Sequence, residues 1–285
     1  MNNEVKITDD DIKIINKDFI SIKSPSKINF GLWVKERRPD NYHEIKTIFF
    51  ENFDLCDEIK IEFVKDKKSS INISFVQGEL NQIISNEENL AYKAAKLFFE
   101  KLKIEGHCNI KINKNIPLKA GLGGGSSNSA CVLKGLNQIF GCRLHENELL
   151  ILAEKIGSDV PFFILGKTCL GKGRGEMLTP LENKLKLQIK IFKPGNISIS
   201  TKWAYEQIDA REFQNNHEEQ LQNLIQAMKK SDYNLFFKNI FNDFEMVVFS
   251  YHPELINIRK KLLDEGCCAV GLCGSGSAIF GIKKC

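Results

Sequence analysis

Hydrophobic and polar residues alternate along several short stretches of this chain, which is the pattern of half-buried β-strands. The longest such stretch is 19–34, FISIKSPSKINFGLWV, and Pro25 interrupts it. Near the C-terminus, CAVGLC and AIFGI predict two short strands on either side of the turn GSGS, residues 274–277. Further strands are predicted over 59–64, 71–76, 108–112, 167–171 and 187–192.

Apolar residues at helical spacing occur between these strands. In 89–103, one helical face carries Leu90, Ala94, Leu97, Phe98 and Leu102. The same spacing predicts helices over 130–140, 146–156, 201–209, 218–229, 232–240 and 254–265. Strands and helices are mixed in both halves without a regular β-α-β alternation. This arrangement favours an α+β fold over a doubly wound sheet.

The length of the chain, 285 residues, suits one large domain or two ordinary ones. Its composition, 42% hydrophobic and 27% charged, is that of a globular protein whose core needs no disulfide or metal. The pattern changes near LTPLENK, around residue 180. We therefore expect an N-terminal extension over 1–18, a first domain over 19–180 and a second domain over 181–285.

The net charge of +4 is scattered along the chain, which suits an anionic small molecule better than a nucleic acid. No apolar run is long enough to cross a membrane, and the charged N-terminus lacks a signal-peptide core. The nine cysteines show neither Cys-x-x-Cys nor zinc-type spacing. Cys169, Cys268 and Cys273 are expected to be small buried side chains in a reducing, cytoplasmic environment.

The stretch KAGLGGGSS, here called the first glycine segment (residues 119–127), precedes a predicted helix. Free backbone N–H groups at a helix N-terminus bind phosphate, and glycines allow close approach of the anion. Ser126, Ser127 and Asn128 are candidates for the helix cap. The segment lacks the Gly-Lys-Ser/Thr ending of a Walker loop, and Ser126 replaces the third glycine of a dinucleotide-binding loop. The alternative is a glycine-rich connector that binds no ligand.

Three other stretches carry residues suited to chemistry. SPSKINFGL places Lys27 and Asn29 on one face of a strand, although Lys27 could also be a surface lysine. GSDVPFF places Asp159 beside apolar residues, either as a helix cap or as a working carboxylate. GLCGSGSAIFG contains the second glycine segment (residues 274–277), which could also be a plain hairpin turn. A lysine, an aspartate and two glycine segments together suit phosphoryl transfer.

These stretches resemble the GHMP kinase family, named for galacto-, homoserine, mevalonate and phosphomevalonate kinases. SPSKINFGLWVKERRPDNYHEIKTIF, IPLKAGLGGGSSNSA, GSDVPFFILG and GLCGSGSAIFG are similar to its motifs and together span residues 24 to 281. NLAYKA at 89–94 also fits. The resemblance implies two α+β domains with the active site in the cleft between them.

The resemblance also implies roles for particular residues. Asp159 matches the general base that takes the proton of the substrate hydroxyl, and Lys27 matches the lysine that holds both groups in place. Asn89 matches a nucleotide contact. The residues that match the ATP-phosphate loop are Pro117, Leu118, Lys119, Ala120, Gly121, Leu122, Gly123, Gly124, Gly125, Ser126 and Ser127. Mg²⁺ is expected to accompany ATP, with Ser127 as a candidate ligand.

On the acceptor side, Tyr42 and His43 match residues that hold a cytosine, and Tyr205 is expected to offer the opposite aromatic face. Asn29 and Lys114 match substrate-side positions. Asn41 stands where the family usually has glycine, and Ser26 stands where alanine is common.

The triple glycine and the Asn-Tyr-His stretch are similar to family members that act on a cytidine diphosphate methylerythritol. The implied reaction is ATP-dependent phosphorylation of its 2-hydroxyl, on the non-mevalonate route to isoprenoid precursors. The alternatives are another GHMP kinase, such as a homoserine or mevalonate kinase, an RNA-binding module, and a kinase-like protein without activity. The sequence does not predict an oligomeric state.

Overall fold

The structure is a computed structural model that describes residues 18–76, 88–195, 197–210 and 217–284, together with the backbone of 12–16. The expected N-terminal extension falls largely outside these residues, although Ile12–Asn16 form a strand. The strands are β1 (Ile12–Asn16), β2 (Phe19–Arg37), β3 (His43–Val64), β4 (Ser70–Phe75), β5 (His107–Asn113), β6 (Thr168–Lys172), β7 (Met177–Pro180), β8 (Leu187–Phe192), β9 (Phe241–Asn242), β10 (Ala269–Leu272) and β11 (Ile279–Lys284).

Nine helices are described within the same residues, and the mixture of helices and strands confirms the expected α+β class. They are α1 (Leu90–Leu102), α2 (Gly124–Ile139), α3 (Glu146–Ile156), α4 (Val160–Leu165), α5 (Thr201–Asp209), α6 (Glu218–Lys230), α7 (Tyr233–Asn239), α8 (Phe244–Tyr251) and α9 (Glu254–Asp264). None of the helices in the described residues combines the length and apolar character that a membrane-spanning helix needs.

The chain forms two compact units that are interleaved along the sequence. The first unit comprises 1–26, 53–116 and 123–166, and the second comprises 27–52, 117–122 and 167–285. Strands β2 and β3 each contribute residues to both units. These units are groups of residues in space, whereas the expected domains, 19–180 and 181–285, are continuous segments of the kind that the family resemblance implies. The boundary at residue 180 stays a prediction.

In the first unit, helices α1 to α4 accompany strands whose apolar residues alternate as predicted. β3 pairs antiparallel with β5, with Ile59 opposite Ile112, and β4 pairs in parallel with β5 on its other side. Helix α2 approaches β2 and β3 closely, because a Cβ on Gly135 would lie within 2.7 Å of the side chains of Ile22 and Ile61. The absence of a side chain at residue 135 therefore lets α2 pack directly on the sheet.

The second unit contains two groups of strands. β6 pairs antiparallel with the N-terminal part of β3, with Leu170 opposite Ile48, and β7 continues the group beyond β6. The other group is a three-stranded antiparallel sheet in the order β10-β11-β8, with Ile282 opposite Ile189. The core that includes α5, α8 and α9 contains the buried residues Leu32, Ile45, Ile197, Ile199, Ala204, Ile208, Phe244, Val247, Val248, Leu255, Leu262, Cys267, Val270, Leu272 and Ile279.

The predicted helices over 201–209, 218–229, 232–240 and 254–265 are confirmed to within a residue or two. Pro25 does not interrupt β2, which runs unbroken from Phe19 to Arg37. Among the described residues, the pairing of β2 with β1 extends to Ile22, opposite Ile12, and does not include Pro25. Helices α4 and α8 were not predicted. Their sequences, VPFFIL and FEMVVFSY, are apolar at nearly every position and carry no helical period.

Two of the three cysteines expected to be buried are buried. Burial raises the pKa of the Cys169 and Cys273 thiols to about 12, which makes them poor nucleophiles. The prediction is wrong for Cys268, which directly precedes β10 and is exposed.

Candidate active site

The first glycine segment ends in the N-terminus of α2. Gly123 is the N-cap residue in a left-handed conformation, with φ of 69°, and the first intrahelical bond runs from Ser127 N to Gly123 O at 2.9 Å. The amides of Gly124, Gly125 and Ser126 precede that bond, so they are the unpaired donors of the helix start. Gly125 is exposed, and a Cβ added there would meet only Leu90, at 3.7 Å. This terminus can accept an anion.

The predicted serine and asparagine caps are wrong, because the helix begins earlier, at Gly124. Glycine reaches the left-handed N-cap conformation without strain. The Ser24 hydroxyl donates to Asn128 Oδ1 at 2.8 Å, so it accepts from the fully buried hydroxyl of Ser127, which lies 2.7 Å away. These polar side chains anchor α2 to β2 rather than cap the helix.

Lys114 lies beside this helix start. Its ammonium forms an ion pair with the buried carboxylate of Asp57, and a Cβ on Gly124 would lie 3.1 Å from its Nζ. The other oxygen of Asp57 accepts hydrogen bonds from the amides of Asn115 and Ile116, both at 2.8 Å. Asp57 thus fixes both Lys114 and the backbone that leads into the glycine segment.

Asp159 occupies the N-cap position of α4, in the same unit. Its φ and ψ, −86° and −11°, are helical, and its side chain makes no capping hydrogen bond. Asp159 was interpreted either as a helix cap or as a working carboxylate. The first interpretation is wrong, because its carboxylate accepts no hydrogen bond from the amides at the start of α4.

Asn89 is a helix cap. Its side-chain oxygen accepts a hydrogen bond from Ala91 N at 2.9 Å at the start of α1. The next residue, Leu90, is the neighbour of Gly125 noted above, so this cap lies near the anion-accepting start of α2.

Lys27 and Asn29 meet on one face of β2, as predicted. Lys27 Nζ donates to Asn29 Oδ1 at 2.9 Å and lies 5.5 Å from the ring centroid of Phe49. Asn29 in turn donates to Thr47 Oγ1 at 2.7 Å, and Thr47 donates to Gly31 O at 2.8 Å. Lys27, Asn29 and Thr47 are all buried, so the surface-lysine interpretation is wrong. The chain of bonds holds the ammonium in one orientation.

The residues that lead into the helix belong partly to the second unit. Leu122 O accepts a hydrogen bond from Lys27 N at 2.9 Å, and Ala120 O accepts one from Ala278 N at 3.3 Å. Ala120 and Leu122 are buried, whereas Leu118 and Lys119 are exposed. Pro117, partly buried, precedes them.

The second glycine segment connects β10 to β11, which pair antiparallel, so it is a hairpin turn. It also contacts the first glycine segment. A Cβ on Gly121 would lie 1.9 Å from Cys273 O, and a Cβ on Gly274 would lie 3.0 Å from Gly121 O and 3.2 Å from Lys27 Nζ. Within the second unit, Gly121 of the first glycine segment, the second glycine segment and Lys27 therefore lie against one another.

His43 and Tyr205 are brought together in the second unit. Their rings stack with centroids 4.8 Å apart and planes inclined by 17°. The Nε2 atom of His43 lies 2.7 Å from Asp209 Oδ1, and Tyr205 packs edge-on against Phe244. One face of Tyr205 is thus covered by His43.

Tyr42 is 57% exposed, and the guanidinium of Arg174 lies 4.9 Å from its ring centroid. Asn41, where glycine is usual, has φ of 67°. Asparagine tolerates this left-handed conformation better than most residues. The turn is therefore kept despite the substitution.

Sequence reasoning missed several partners of these residues. Thr47 follows the same alternation in β3 as the buried His43, Ile45 and Phe49, and a polar residue in that series was a usable signal. Asp209 ends α5, where an acidic residue opposes the helix dipole, which was another signal. Nothing in the local pattern identified Asp57 or Arg174.

Two family models match the chain. The model for the GHMP kinases N terminal domain matches residues 89–167, and the model for the GHMP kinases C terminal domain matches residues 224–284. The first match includes the helix start of α2, and the second includes the second glycine segment. Fold and site together define the class: a GHMP kinase.

Curated relatives narrow this class. The 4-diphosphocytidyl-2-C-methyl-D-erythritol kinase of Alkaliphilus metalliredigens is 40% identical over 93% of this chain and 88% of the relative. The kinase of that name from Geobacillus kaustophilus is 36% identical over 92% and 88%. The chain belongs to the family of 4-diphosphocytidyl-2-C-methyl-D-erythritol kinases.

Solved structures agree with this assignment. A crystal structure of 4-(cytidine 5'-diphospho)-2C-methyl-D-erythritol kinase matches with a TM-score of 0.74 and 33% identity, over 92% of this chain and 89% of the other. Homoserine kinase from Cytophaga hutchinsonii matches with a TM-score of 0.76 but only 19% identity, over 95% and 87%. The second likeness shows a shared fold alone. Among the alternatives, sequence identity therefore favours the kinase family named above over homoserine kinase.

Proposed function

We propose that this protein transfers the γ-phosphoryl group of ATP to the 2-hydroxyl of 4-diphosphocytidyl-2-C-methyl-D-erythritol, giving the 2-phosphate and ADP on the non-mevalonate route to isoprenoid precursors. The observation that carries the proposal is the 40% identity, over 93% of the chain, to a kinase named for this substrate. The expected cytoplasmic location and the expected lack of nucleic-acid partners remain predictions.

The residues of the first glycine segment would bind the nucleotide phosphates. The free amides at the start of α2 and the exposed glycine at residue 125 fit an anionic group, because no Cβ blocks its approach. The positive end of the helix dipole adds to the attraction. The side-chain oxygen of Asn89 already caps α1, so Asn89 would contact the nucleotide through its side-chain NH2 group.

Mg²⁺ would enter with ATP, since kinase sites bind this ion mainly through phosphate oxygens and water, with one or two protein oxygens. The bound ion supplies positive charge that offsets the charge of the phosphates. The Ser127 hydroxyl, the candidate ligand, is buried against Ser24 and so fits this role poorly. The protein ligands of the ion thus stay unassigned.

Asp159 would act as general base. Its carboxylate would accept the proton of the substrate hydroxyl while the hydroxyl oxygen forms its bond to the γ-phosphorus and ADP leaves. Support comes from the position of Asp159 at the start of α4, where its side chain makes no capping bond. The role needs a carboxylate that is not committed to the helix.

Lys27 would hold the hydroxyl and offset the charge that develops during transfer. The bonds through Asn29 and Thr47 support this role, because a preoriented ammonium needs no rearrangement during the reaction. Asn29 and Lys114 would lie on the acceptor side. The ion pair of Lys114 with Asp57 supports an anchored ammonium.

Tyr42 and His43 would hold the cytosine of the substrate, Tyr42 by its exposed ring and His43 by its ring nitrogen. Tyr205 stacks on His43, which supports a contribution to the wall of the base site. A role for Tyr205 as an aromatic face opposite Tyr42 stays a prediction.

A coupled kinase assay over a panel of acceptors tests the proposal. The panel contains 4-diphosphocytidyl-2-C-methyl-D-erythritol, homoserine and mevalonate, each with ATP and Mg²⁺. We expect turnover with the cytidine diphosphate compound only. Turnover with homoserine or mevalonate alone would overturn the substrate assignment.

The same assay tests Asp159 against a matched aspartate. Asp159→Asn should lower kcat by about 10²- to 10⁴-fold, the usual contribution of a general base, while ATP binding is kept. Asp232 also occupies an N-cap position, but its carboxylate does accept a capping bond, from Leu235 N at 3.0 Å. Asp232→Asn should therefore leave kcat unchanged. Equal activity of both variants would remove Asp159 from the mechanism.

A further inference from the structure

The interaction between His43 and Asp209 restricts both the position of the His43 ring and the ring nitrogen that carries a proton. His43 is 8% exposed, and its Nε2 lies 2.7 Å from the Asp209 carboxylate. Tyr205 covers one face of the imidazole, so the ring plane is also held. In the part of the chain that the structure describes, no hydrogen-bond partner is found for the other ring nitrogen, Nδ1.

An ionised carboxylate can only accept a hydrogen bond, so Nε2 must carry a proton. In a neutral imidazole the other nitrogen is then an acceptor. Asp209 therefore determines the chemical character of Nδ1, although it does not touch that atom.

The placement of Asp209 is unfavourable for the helix that carries it. Asp209 is the last residue of α5, where the partial charge of the helix is negative, and that helix has no basic residue in its last turn. Its second oxygen lies 3.8 Å from Arg37, an exposed ion pair of small effect. The interaction with His43 accounts for a carboxylate at this position better than helix stability does.

We propose that Asp209 is a positioning residue that holds neutral His43 as the Nε2–H tautomer, so that the site prefers a cytosine to a uracil base. The inference rests on the proposed function, in which His43 contacts the base. The 4-position of cytosine carries an amino donor, whereas that of uracil carries a carbonyl acceptor. If Nδ1 of His43 is an acceptor, it can accept a hydrogen bond from the 4-amino group of cytosine. With uracil it would face the 4-carbonyl oxygen, which is also an acceptor, and no hydrogen bond would form.

The first test measures the tautomer in the full-length protein without substrate. Nitrogen-15 spectra of the five histidines, with the His43 signals assigned by their loss in His43→Gln, distinguish protonated from unprotonated ring nitrogens. We expect the Nε2–H form in the native protein and a loss of that preference in Asp209→Asn. A native Nδ1–H form would overturn the proposal.

The second test measures base preference as the ratio of kcat/KM for 4-diphosphocytidyl-2-C-methyl-D-erythritol to that for its uridine analogue. Asp209→Asn should lower this ratio by about tenfold or more, and Asp209→Glu, which keeps a carboxylate, should restore part of it. A purely structural role would reduce both substrates equally. An unchanged ratio in Asp209→Asn would overturn the proposal.

A second histidine–aspartate interaction provides a control. His107 Nε2 lies 3.1 Å from Asp66, in the first unit, and Asp66→Asn should leave the ratio unchanged. If the native protein turned over neither nucleotide substrate, the proposed function would fail and the base preference with it. The tautomer measurement does not depend on turnover, so the two failures are distinguishable.

Discussion

The two glycine segments have similar composition, but they differ in whether their polar groups form hydrogen bonds within the protein. The first opens α2 and leaves three amides without helical partners, beside an exposed glycine. The second is a hairpin whose polar groups are used internally. Asn242 donates to Leu272 O at 2.9 Å and Gly274 O at 2.8 Å, and the Ser277 hydroxyl donates to Ile197 O at 2.6 Å.

This difference shows that glycine content alone does not identify a binding loop. What distinguishes the first segment is the number of backbone donors that the protein leaves unused. The second segment instead supports the first, because Gly121 lies directly against it. Substitutions can therefore distinguish residues that hold the first segment in place from residues that would bind the ligand.

The largest effect is expected where the two segments touch. In Gly121→Ala, the new Cβ would overlap Cys273 O, and φ of 75° disfavours any side chain. We expect a loss of about 3 kcal/mol or more in the free energy of unfolding. Urea denaturation followed by circular dichroism measures this loss.

Gly141→Ala is the matched control for that substitution. Gly141 also has φ of 75°, but an added Cβ meets nothing within 4 Å. It should lose only about 1–2 kcal/mol, the cost of the backbone conformation. Equal losses at residues 121 and 141 would contradict the contact between the segments.

A somewhat smaller loss of stability is expected from substituting Asn242, whose side chain holds the second segment in place. Asn242→Ala removes both bonds to the hairpin carbonyls and leaves them buried, which should cost about 3 kcal/mol. Thermal and urea unfolding measure it. Asn239→Ala, which loses the bond that Asn239 donates to Leu235 O and the longer bond that it accepts from Asn223, in a partly buried site, should cost only about 1 kcal/mol. A similar small loss at residue 242 would show that the hairpin does not need this anchor.

The next effect depends on pH. Glu245 accepts a bond from Leu272 N at 2.9 Å, next to the hairpin, and burial raises its pKa above the ordinary value of 4.5. Its contribution to stability is therefore present below pH 4.5 and is lost as pH rises through the raised pKa. A pKa that is higher by one in the folded protein contributes about 1.4 kcal/mol. Urea unfolding across this pH range should show the loss in the native protein and not in Glu245→Gln.

Glu265 gives the opposite sign and serves as the control. Its hydrogen bond with Lys190 lowers the pKa of its carboxyl, so its contribution is present above pH 4.5 and is lost as pH falls. If the two glutamine variants changed the pH profile in the same direction, the buried environment of Glu245 would be refuted.

The smallest effect on stability is expected at the binding end of the first segment. Gly125→Ala adds a methyl group within a helix, where it makes only an ordinary contact with Leu90 at 3.7 Å, so stability should stay the same or rise by about 1 kcal/mol. The KM for ATP should rise by about tenfold, because in the proposed function the phosphates approach the α2 start at this residue. Nucleotide titration and thermal unfolding of the same variant measure both. An unchanged KM would remove Gly125 from the binding surface.

Elements with a clear period were predictable from sequence. The helices over 201–209 and 254–265 and the strand over 187–192 follow their apolar spacing closely. Helix α4 was missed because five of its six residues are buried, so no polar face marks its period. Helix α8 was missed because its exposed positions include apolar residues, Met246 and Tyr251, so its exposed face is not polar either. The start of α2 was misplaced because the choice between glycine and serine as cap depends on the backbone conformation at Gly123.

In the candidate site, the pairing of Lys27 with Asn29 followed from strand alternation and was predictable. The partners Asp57, Thr47 and Asp209 are distant in sequence from the residues they hold, and only the fold brings them near. Sequence motifs therefore identified groups suited to the chemistry, and the structure identified the groups that orient them.

The interleaving of the two units has a consequence for synthesis on the ribosome. The first unit is complete once residue 166 has emerged, whereas the second needs the residues from 167 onward. Its earliest strands, residues 27–52, are made long before their partners β6 and β9. Because unpaired strand edges are prone to aggregation, the edges of β2 and β3 that pair with β9 and β6 must stay out of wrong pairings in the nascent chain until those later strands have been made.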